Sequence, residues 1–212
     1  MSNTAPSQPI KLHRMRLSGH CHRVELFLSL LGLPYETVDV NLGQREHKSP
    51  GFLRMNPFGQ VPAIEDGEVT LGDSNAILVY LASRYAPGEW LPTDPLGAAR
   101  VQRWLSAAAG PLAFGPNMAR AMVLFKREGD PAPMVERSHQ LLAVMEQELA
   151  QQPFLAGERP TLADIAHYSY VARAPEGFVS LEPYPAVRAW LERIEALPRF
   201  VPFARSAVGL SA

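Results

Sequence analysis

Asn56-Pro57-Phe58-Gly59-Gln60-Val61-Pro62-Ala63-Ile64-Glu65-Asp66-Gly67, continuing as Glu68-Val69-Thr70-Leu71-Gly72-Asp73-Ser74-Asn75-Ala76-Ile77, decides how the first half of this chain folds. Val61 to Glu65 and Glu68 to Leu71 are short runs able to form strands, and the Asp66-Gly67 turn signal between them predicts a β-hairpin. Asp73 and Ser74 then stand where a helix begins, with Ile77, Tyr80, Leu81 and Arg84 aligned behind them and Pro87-Gly88 as the stop. A residue before proline is held extended, so Val61 can offer its N–H and C=O to a bound peptide as an added strand does. Val-Pro can equally open an ordinary edge strand. At Asp73-Ser74 the helix terminus favours an anion, and Asp and Ser are also among the commonest N-caps. Together these groups mark a site for one small anionic peptide.

Before the hairpin, Ile10 to Leu17 reads as a first strand and Leu17-Ser18-Gly19-His20 as the turn leaving it. Val24, Phe27, Leu28 and Leu31 recur at helical spacing, and Gly32 with Pro34 ends that helix. Tyr35 to Val40 is the next strand, and a short helical pattern around Phe52 to Met55 precedes the hairpin. The first half therefore reads βαβαββα.

Three prolines and a glycine between Ala86 and Pro95 mark a linker. Asp94-Pro95 then suits a helix start, with Asp as cap and Pro in the first turn. All that follows is helical in pattern, with apolar faces at Val101, Trp104, Leu105 and Ala108, at Leu141, Leu142, Met145 and Leu149, and at Val187, Trp190, Leu191 and Ile194. Thr161-Leu162-Ala163-Asp164 is a variant of the capping box. The expected division is a lead at 1–9, an α/β domain at 10–86, a linker at 87–94 and an all-helical domain at 95–212.

With 212 residues, 47% of them hydrophobic, the chain can build cores in either one domain or two. A formal net charge of -1 with dispersed basic residues argues against a nucleic-acid face or an electrostatic membrane anchor. No run approaches the roughly 18 apolar residues of a membrane span. Met1 to Gln8 reads as a disordered lead rather than a signal peptide. The single cysteine, Cys21, excludes an intramolecular disulfide framework and fits a reducing cytoplasm. His20, Cys21 and His22 point in different directions from one helical turn, which speaks against a metal site.

Three motifs in this order, Leu17-Ser-Gly-His-Cys-His-Arg-Val24 with Gly32-Leu-Pro, Asn56 to Pro62 leading to Asp73 to Ile77, and Pro160 to Asp164, resemble the soluble glutathione S-transferases. The resemblance runs from Ile10 to about Phe203 and is nearest the bacterial theta- and zeta-like serine-type members. It implies a thioredoxin-like α/β domain joined to a helical bundle, a homodimer, and glutathione as co-substrate without a metal. On this resemblance Pro62 matches the family's cis-proline, Val61 pairs with the cysteinyl backbone, and Ser74 holds the γ-glutamyl carboxylate. Asp73 balances the α-ammonium, while His47, Lys48 and Gln60 meet the glycine end.

A cysteine-type thiol has a pKa of about 8.5, so conjugation at neutral pH needs the thiolate stabilised. Ser18, at the start of the first helix and fourteen residues before Gly32, matches the activating serine of theta- and zeta-like members. Cys21 is the rival, since a first-turn cysteine can ionise readily, but it stands three residues past the position cysteine occupies in omega-like members. The resemblance implies conjugation of the glutathione thiolate to small hydrophobic electrophiles. The alternatives are a glutathione-dependent disulfide or peroxide reductase on the same site, and a non-catalytic interaction module. Phe114, Met118 and Met122 are candidates for an adaptable electrophile pocket, but Met and Phe at such spacing are more often core or dimer contacts.

Overall fold

The computed structural model describes residues 5–210. The expected lead at 1–9 lies partly outside them, and residues 5–9 carry no regular secondary structure. The chain forms two compact units. One runs to Leu91 and takes in Leu197–Phe203; the other comprises Pro92–Ala196 and the chain from Ala204 on.

In the first unit the order is β1 (Ile10–Arg14), α1 (Gly19–Leu30), β2 (Tyr35–Asp39), α2 (Pro50–Met55), β3 (Ala63–Asp66), β4 (Val69–Gly72) and α3 (Ser74–Tyr85). A 3-10 turn at Glu46–Lys48 precedes α2. The sheet runs β2-β1-β3-β4, with β1 parallel to β2 and the remaining pairs antiparallel, which is the thioredoxin-like arrangement. Ile10 and Leu12 of β1 and Ile64 of β3 are wholly buried, as are Val24, Phe27 and Leu28 of α1 and Ile77 and Leu81 of α3.

Two boundaries differ from the sequence reading. β1 ends at Arg14, three residues short of Leu17, because Ser18 N–H donates back to the Met15 carbonyl and turns the chain into α1. In the hairpin, Asp66 pairs with Val69, so the two-residue loop is Gly67-Glu68 rather than Asp66-Gly67. Gly67 takes φ +59 and Glu68 does not, the pattern of a type II′ turn. Asp66 stays in the strand because its carboxylate accepts from the Tyr80 and Tyr85 hydroxyls of α3, at 2.7 and 2.6 Å.

The second unit holds α4 (Pro95–Ala109), α5 (Met118–Leu124), α6 (Ala132–Leu149), α7 (Leu162–Ala172) and α8 (Pro185–Glu195). Asp94 caps α4 by accepting from Gly97 N–H at 2.8 Å, with Pro95 at the first position. Pro116 lacks an N–H, and the chain passes it as a π turn over Ala113–Asn117 before entering α5. The predicted faces are buried throughout α4 and α6, and in α8 at Val187, Trp190 and Ile194. Every residue of α7 from Leu162 to Val171 is buried, so this helix is the centre of its unit. Among the described residues no helix is long and apolar enough to cross a membrane.

Candidate functional site

Ser18 is the N-cap of α1, in extended geometry, and its Oγ accepts from Cys21 N–H at 3.3 Å. The hydroxyl is half-buried and, besides accepting from the Cys21 backbone, neighbours the Cys21 side chain, whose thiolate its hydrogen can reach. Cys21 itself is 1% exposed, with Sγ accepting from Met15 N–H at 3.4 Å. Burial pushes its pKa up to about 11 against the opposing bonds from Ser18 and Met15. It is a protonated, packed thiol.

The histidines around it diverge. His13 bonds Glu65 at 2.7 Å, while His22 bonds the Val201 carbonyl at 2.9 Å and stacks on Phe203. His20 Nδ1 lies 3.4 Å from Ser74 Oγ. Of the two histidines flanking Cys21, His20 is thus the one beside a predicted ligand residue.

The Val61-Pro62 bond is cis. Among the described residues, none hydrogen-bonds the N–H or carbonyl of Val61. Asn56, 4% exposed, organises the loop before it: Nδ2 donates to the Gln60 carbonyl at 2.7 Å and Oδ1 accepts from Phe58 N–H at 3.2 Å. Its amide also lies directly under Gly72, where an added Cβ would come within 2.5 Å of Asn56 Cγ. Asn56 therefore links the Gln60-Val61 loop before β3 to the Gly72-Asp73 entry of α3.

Asp73 caps α3, Oδ1 accepting from Ala76 N–H at 2.9 Å. It does so at φ +69 and ψ +122, a conformation that costs a non-glycine residue roughly 1–3 kcal/mol and that clusters at functional sites. Ser74, the first residue of α3, is 5% exposed, and its Oγ accepts from Arg23 Nη1 at 3.3 Å. Arg23 also donates to Asn75 Oδ1 at 2.8 Å.

On the other side of the loop, Lys48 Nζ donates to the Phe58 carbonyl at 3.1 Å. Gly59, at φ +56, packs against the Lys48 side chain and the His47 carbonyl. His47 is held below its ordinary pKa by burial and then by Lys48 and Arg45, and its Nδ1 is buried without a hydrogen-bond partner. The predicted residues His47, Lys48, Gln60, Val61, Pro62, Asp73 and Ser74 all belong to the first unit, where Lys48 holds the Phe58-Gly59 turn and Asn56 ties the following loop to the entry of α3. Ser18 joins it through α1, by way of His20 and Arg23. The arrangement comprises an extended backbone at Val61, the N-terminus of α3, the Lys48 cation and the Ser18 hydroxyl.

Residues 8–83 match the glutathione S-transferase N-terminal domain and residues 107–198 the glutathione S-transferase C-terminal domain. The chain belongs to the glutathione S-transferase family. It is 38% identical to glutathione S-transferase 3 of Zea mays over 207 residues, 91% of each chain. Among solved structures it resembles a glutathione S-transferase from Pseudomonas fluorescens, with TM-score 0.88 and 32% identity, covering 93% of this chain and 100% of that one. A glutathione transferase homolog from Drosophila mojavensis, solved with bound glutathione, aligns with TM-score 0.82 and 29% identity over 90% of this chain and 89% of that one.

Two residues of the transferase's site surface escaped the sequence reading. Asn56 stood in the quoted motif without a role, though a buried amide before Pro-Phe-Gly is a loop organiser by type. Arg23 has a clearer signal, since it interrupts the apolar positions of α1 beside Val24, where a charge needs a partner. A cavity of about 520 Å³ in the helical unit, lined by Trp104, Phe114, Leu141 and Val144 with Arg103 and Arg137, includes none of the predicted ligand residues. Of the electrophile-pocket candidates, Phe114 lines this cavity and is exposed, while Met122 is buried in its unit.

Proposed function

We propose that this transferase joins the glutathione thiolate to small hydrophobic electrophiles, with Ser18 stabilising the thiolate. In the substitution case sulfur forms a bond to carbon and the leaving group departs with its electron pair. Ser18 supports this reading most directly: it is a half-buried N-cap hydroxyl at the positive end of a twelve-residue helix, and a ligand thiolate would compete with the Cys21 thiol for its hydrogen. Lowering the thiol pKa by one unit takes about 1.4 kcal/mol of anion stabilisation, within reach of one charge-assisted hydrogen bond. Val61 pairs with the cysteinyl backbone, Asp73 and Ser74 hold the γ-glutamyl end, and His47, Lys48 and Gln60 meet the glycine end. Glutathione is co-substrate.

Ser18→Ala tests the assignment. The variant is expected to lose about 10²-fold in kcat, as loss of one oxyanion donor does, while binding glutathione as the parent does. An unchanged rate would refute the role.

The reading extends to a homodimer in the cytoplasm. Phe58, 79% exposed, and Leu96, 62% exposed, suit burial against a second copy. Sedimentation equilibrium with a monomer mass at micromolar concentration would contradict it.

A further inference from the structure

Arg23 is 1% exposed, and its charge is wrong-signed for the place it occupies. The first turn of α3 already carries partial positive charge from its N-terminal N–H groups and dipole, so a buried cation beside it is costly. Yet Arg23 Nη1 reaches across from α1 to both residues of that turn, at 3.3 Å from Ser74 Oγ and 2.8 Å from Asn75 Oδ1. A cation added to the positive end of a helix is offset when an anion occupies the same end.

The direction of the hydrogens follows from chemistry. Ser74 Oγ has two lone pairs and one hydrogen, and a guanidinium can only donate, so Arg23 fills a lone pair. His20 Nδ1, at 3.4 Å, is the hydroxyl's second neighbour. Burial, and after it the charge of Arg23, pushes the His20 pKa down to about 3, so the ring is neutral at neutral pH and its Nδ1 either donates or accepts. In the Nδ1–H tautomer both lone pairs of Ser74 are filled, and its hydrogen is left for a ligand oxygen. In the other tautomer that hydrogen is taken by His20. An anion at the helix end selects the first arrangement.

We propose that Arg23 is a positioning residue for the anionic end of glutathione: it fixes the Ser74 hydroxyl so that the hydrogen is directed at the γ-glutamyl α-carboxylate, and it places its own charge behind that hydroxyl. The proposal rests on the reading of Asp73 and Ser74 given above. Arg23 touches no substrate atom; it acts through Ser74 and Asn75.

The test compares wild type, Arg23→Gln and Arg23→Lys on two thiols, glutathione and 4-aminobutanoyl-Cys-Gly. The second keeps the thiol, the ammonium and the glycine end but lacks the α-carboxylate. Arg23→Gln is expected to raise KM for glutathione about tenfold, the order of one charge-assisted hydrogen bond, with kcat changed less than about threefold. Arg23→Lys recovers part of that loss, because charge returns without the fork geometry. On the decarboxylated thiol, wild type and Arg23→Gln share one KM within about twofold.

Equal rises in KM for both thiols, or a fall in kcat at unchanged KM, would overturn the proposal and leave Arg23 as packing between α1 and α3. If Arg23→Gln fails to fold, Asn75→Ala removes the shorter of the guanidinium's two bonds to α3 and leaves the core of α1 intact. It is expected to raise KM several-fold for glutathione alone, and an equal effect on both thiols overturns the proposal. A wild-type enzyme that does not distinguish the two thiols overturns the reading of Ser74 and the proposal with it. One that distinguishes them while Arg23→Gln does so equally well overturns the proposal alone.

Discussion

Trp190 Nε1 donates to Asp164 Oδ1 at 2.9 Å, with both side chains fully buried in the helical unit. The same carboxylate accepts from Leu155 N–H at 2.9 Å, from Thr161 N–H at 2.8 Å and from the Thr161 hydroxyl at 3.2 Å. One charge thus joins α8, the loop before α7 and the cap of α7 itself. Burial pushes the Asp164 pKa up while these four donors pull it down.

Asp164→Ala strands those donors in the interior, and unsatisfied buried groups cost roughly 1–3 kcal/mol each before relaxation. The variant is expected to lose about 3 kcal/mol or more, read as a fall in the urea midpoint at unchanged slope. Asp164→Asn keeps an acceptor and should lose less. The fraction that folds should retain its KM for glutathione, since Asp164 is remote from every ligand residue in the chain order and belongs to the other unit.

Gly59 and Gly67 form a matched pair for separating strain from contact. Both have positive φ, at +56 and +59. A Cβ at Gly59 would stand 2.9 Å from the His47 carbonyl oxygen and 2.7 Å from Lys48 Nζ, whereas at Gly67 it meets nothing within 4 Å. Both alanine variants carry the conformational cost of about 1 kcal/mol. Only Gly59→Ala is expected to raise KM for glutathione, several-fold, by displacing the His47-Lys48 turn; steady-state kinetics on both variants decides.

His20 gives a pH dependence of defined sign. Its folded pKa of about 3 lies below the ordinary 6.5, through burial first and Arg23 second. A depressed histidine contributes stability that is present above pH 6.5 and lost as pH falls toward 3. By pH 4 the loss should be about 2 kcal/mol, less than the full shift implies because part of the residue is solvent-accessible. His20→Gln should show a shallower decline of stability over that window in urea titrations at stepped pH.

Cys21, with its pKa pushed up to about 11 by burial, should be silent in the native protein. Iodoacetamide at pH 8 is expected to alkylate it at least about 100-fold more slowly in buffer than in denaturant, since the thiolate is both scarce and enclosed. Mass spectrometry of timed quenches measures the ratio. Fast native labelling would return Cys21 to the list of reactive groups.

Much of this architecture was legible because it is local. The faces of α4, α6 and α8, the Asp94-Pro95 start, the Thr161-Asp164 cap and the hairpin all follow from spacing within one element. Of the two misplacements, the end of β1 came from a local backbone turn at Met15-Ser18, and the other occurred where a distant side chain intervened. The turn moved from Asp66-Gly67 to Gly67-Glu68 because Asp66 is claimed by Tyr80 and Tyr85. The site divides the same way. The proposed ligand residues Gln60, Val61, Pro62, Asp73 and Ser74 stand in one contiguous motif, whereas Arg23 and Asn56 act through contacts 51 residues off in sequence or beneath the backbone of a strand.

The segment 197–203, which belongs to the first unit, carries a consequence for how the chain is made. Val201 meets His22, Phe203 stacks on the same ring, and the Arg199 carbonyl receives the Ser29 hydroxyl at 2.7 Å, all along α1. The ribosome finishes the sheet and helices of this unit by Tyr85, but one side of α1 waits for residues more than a hundred positions later in the chain. A nascent chain stalled before Leu197 therefore leaves bare the side of α1 that His22 and Ser29 present, in the helix that Ser18 caps.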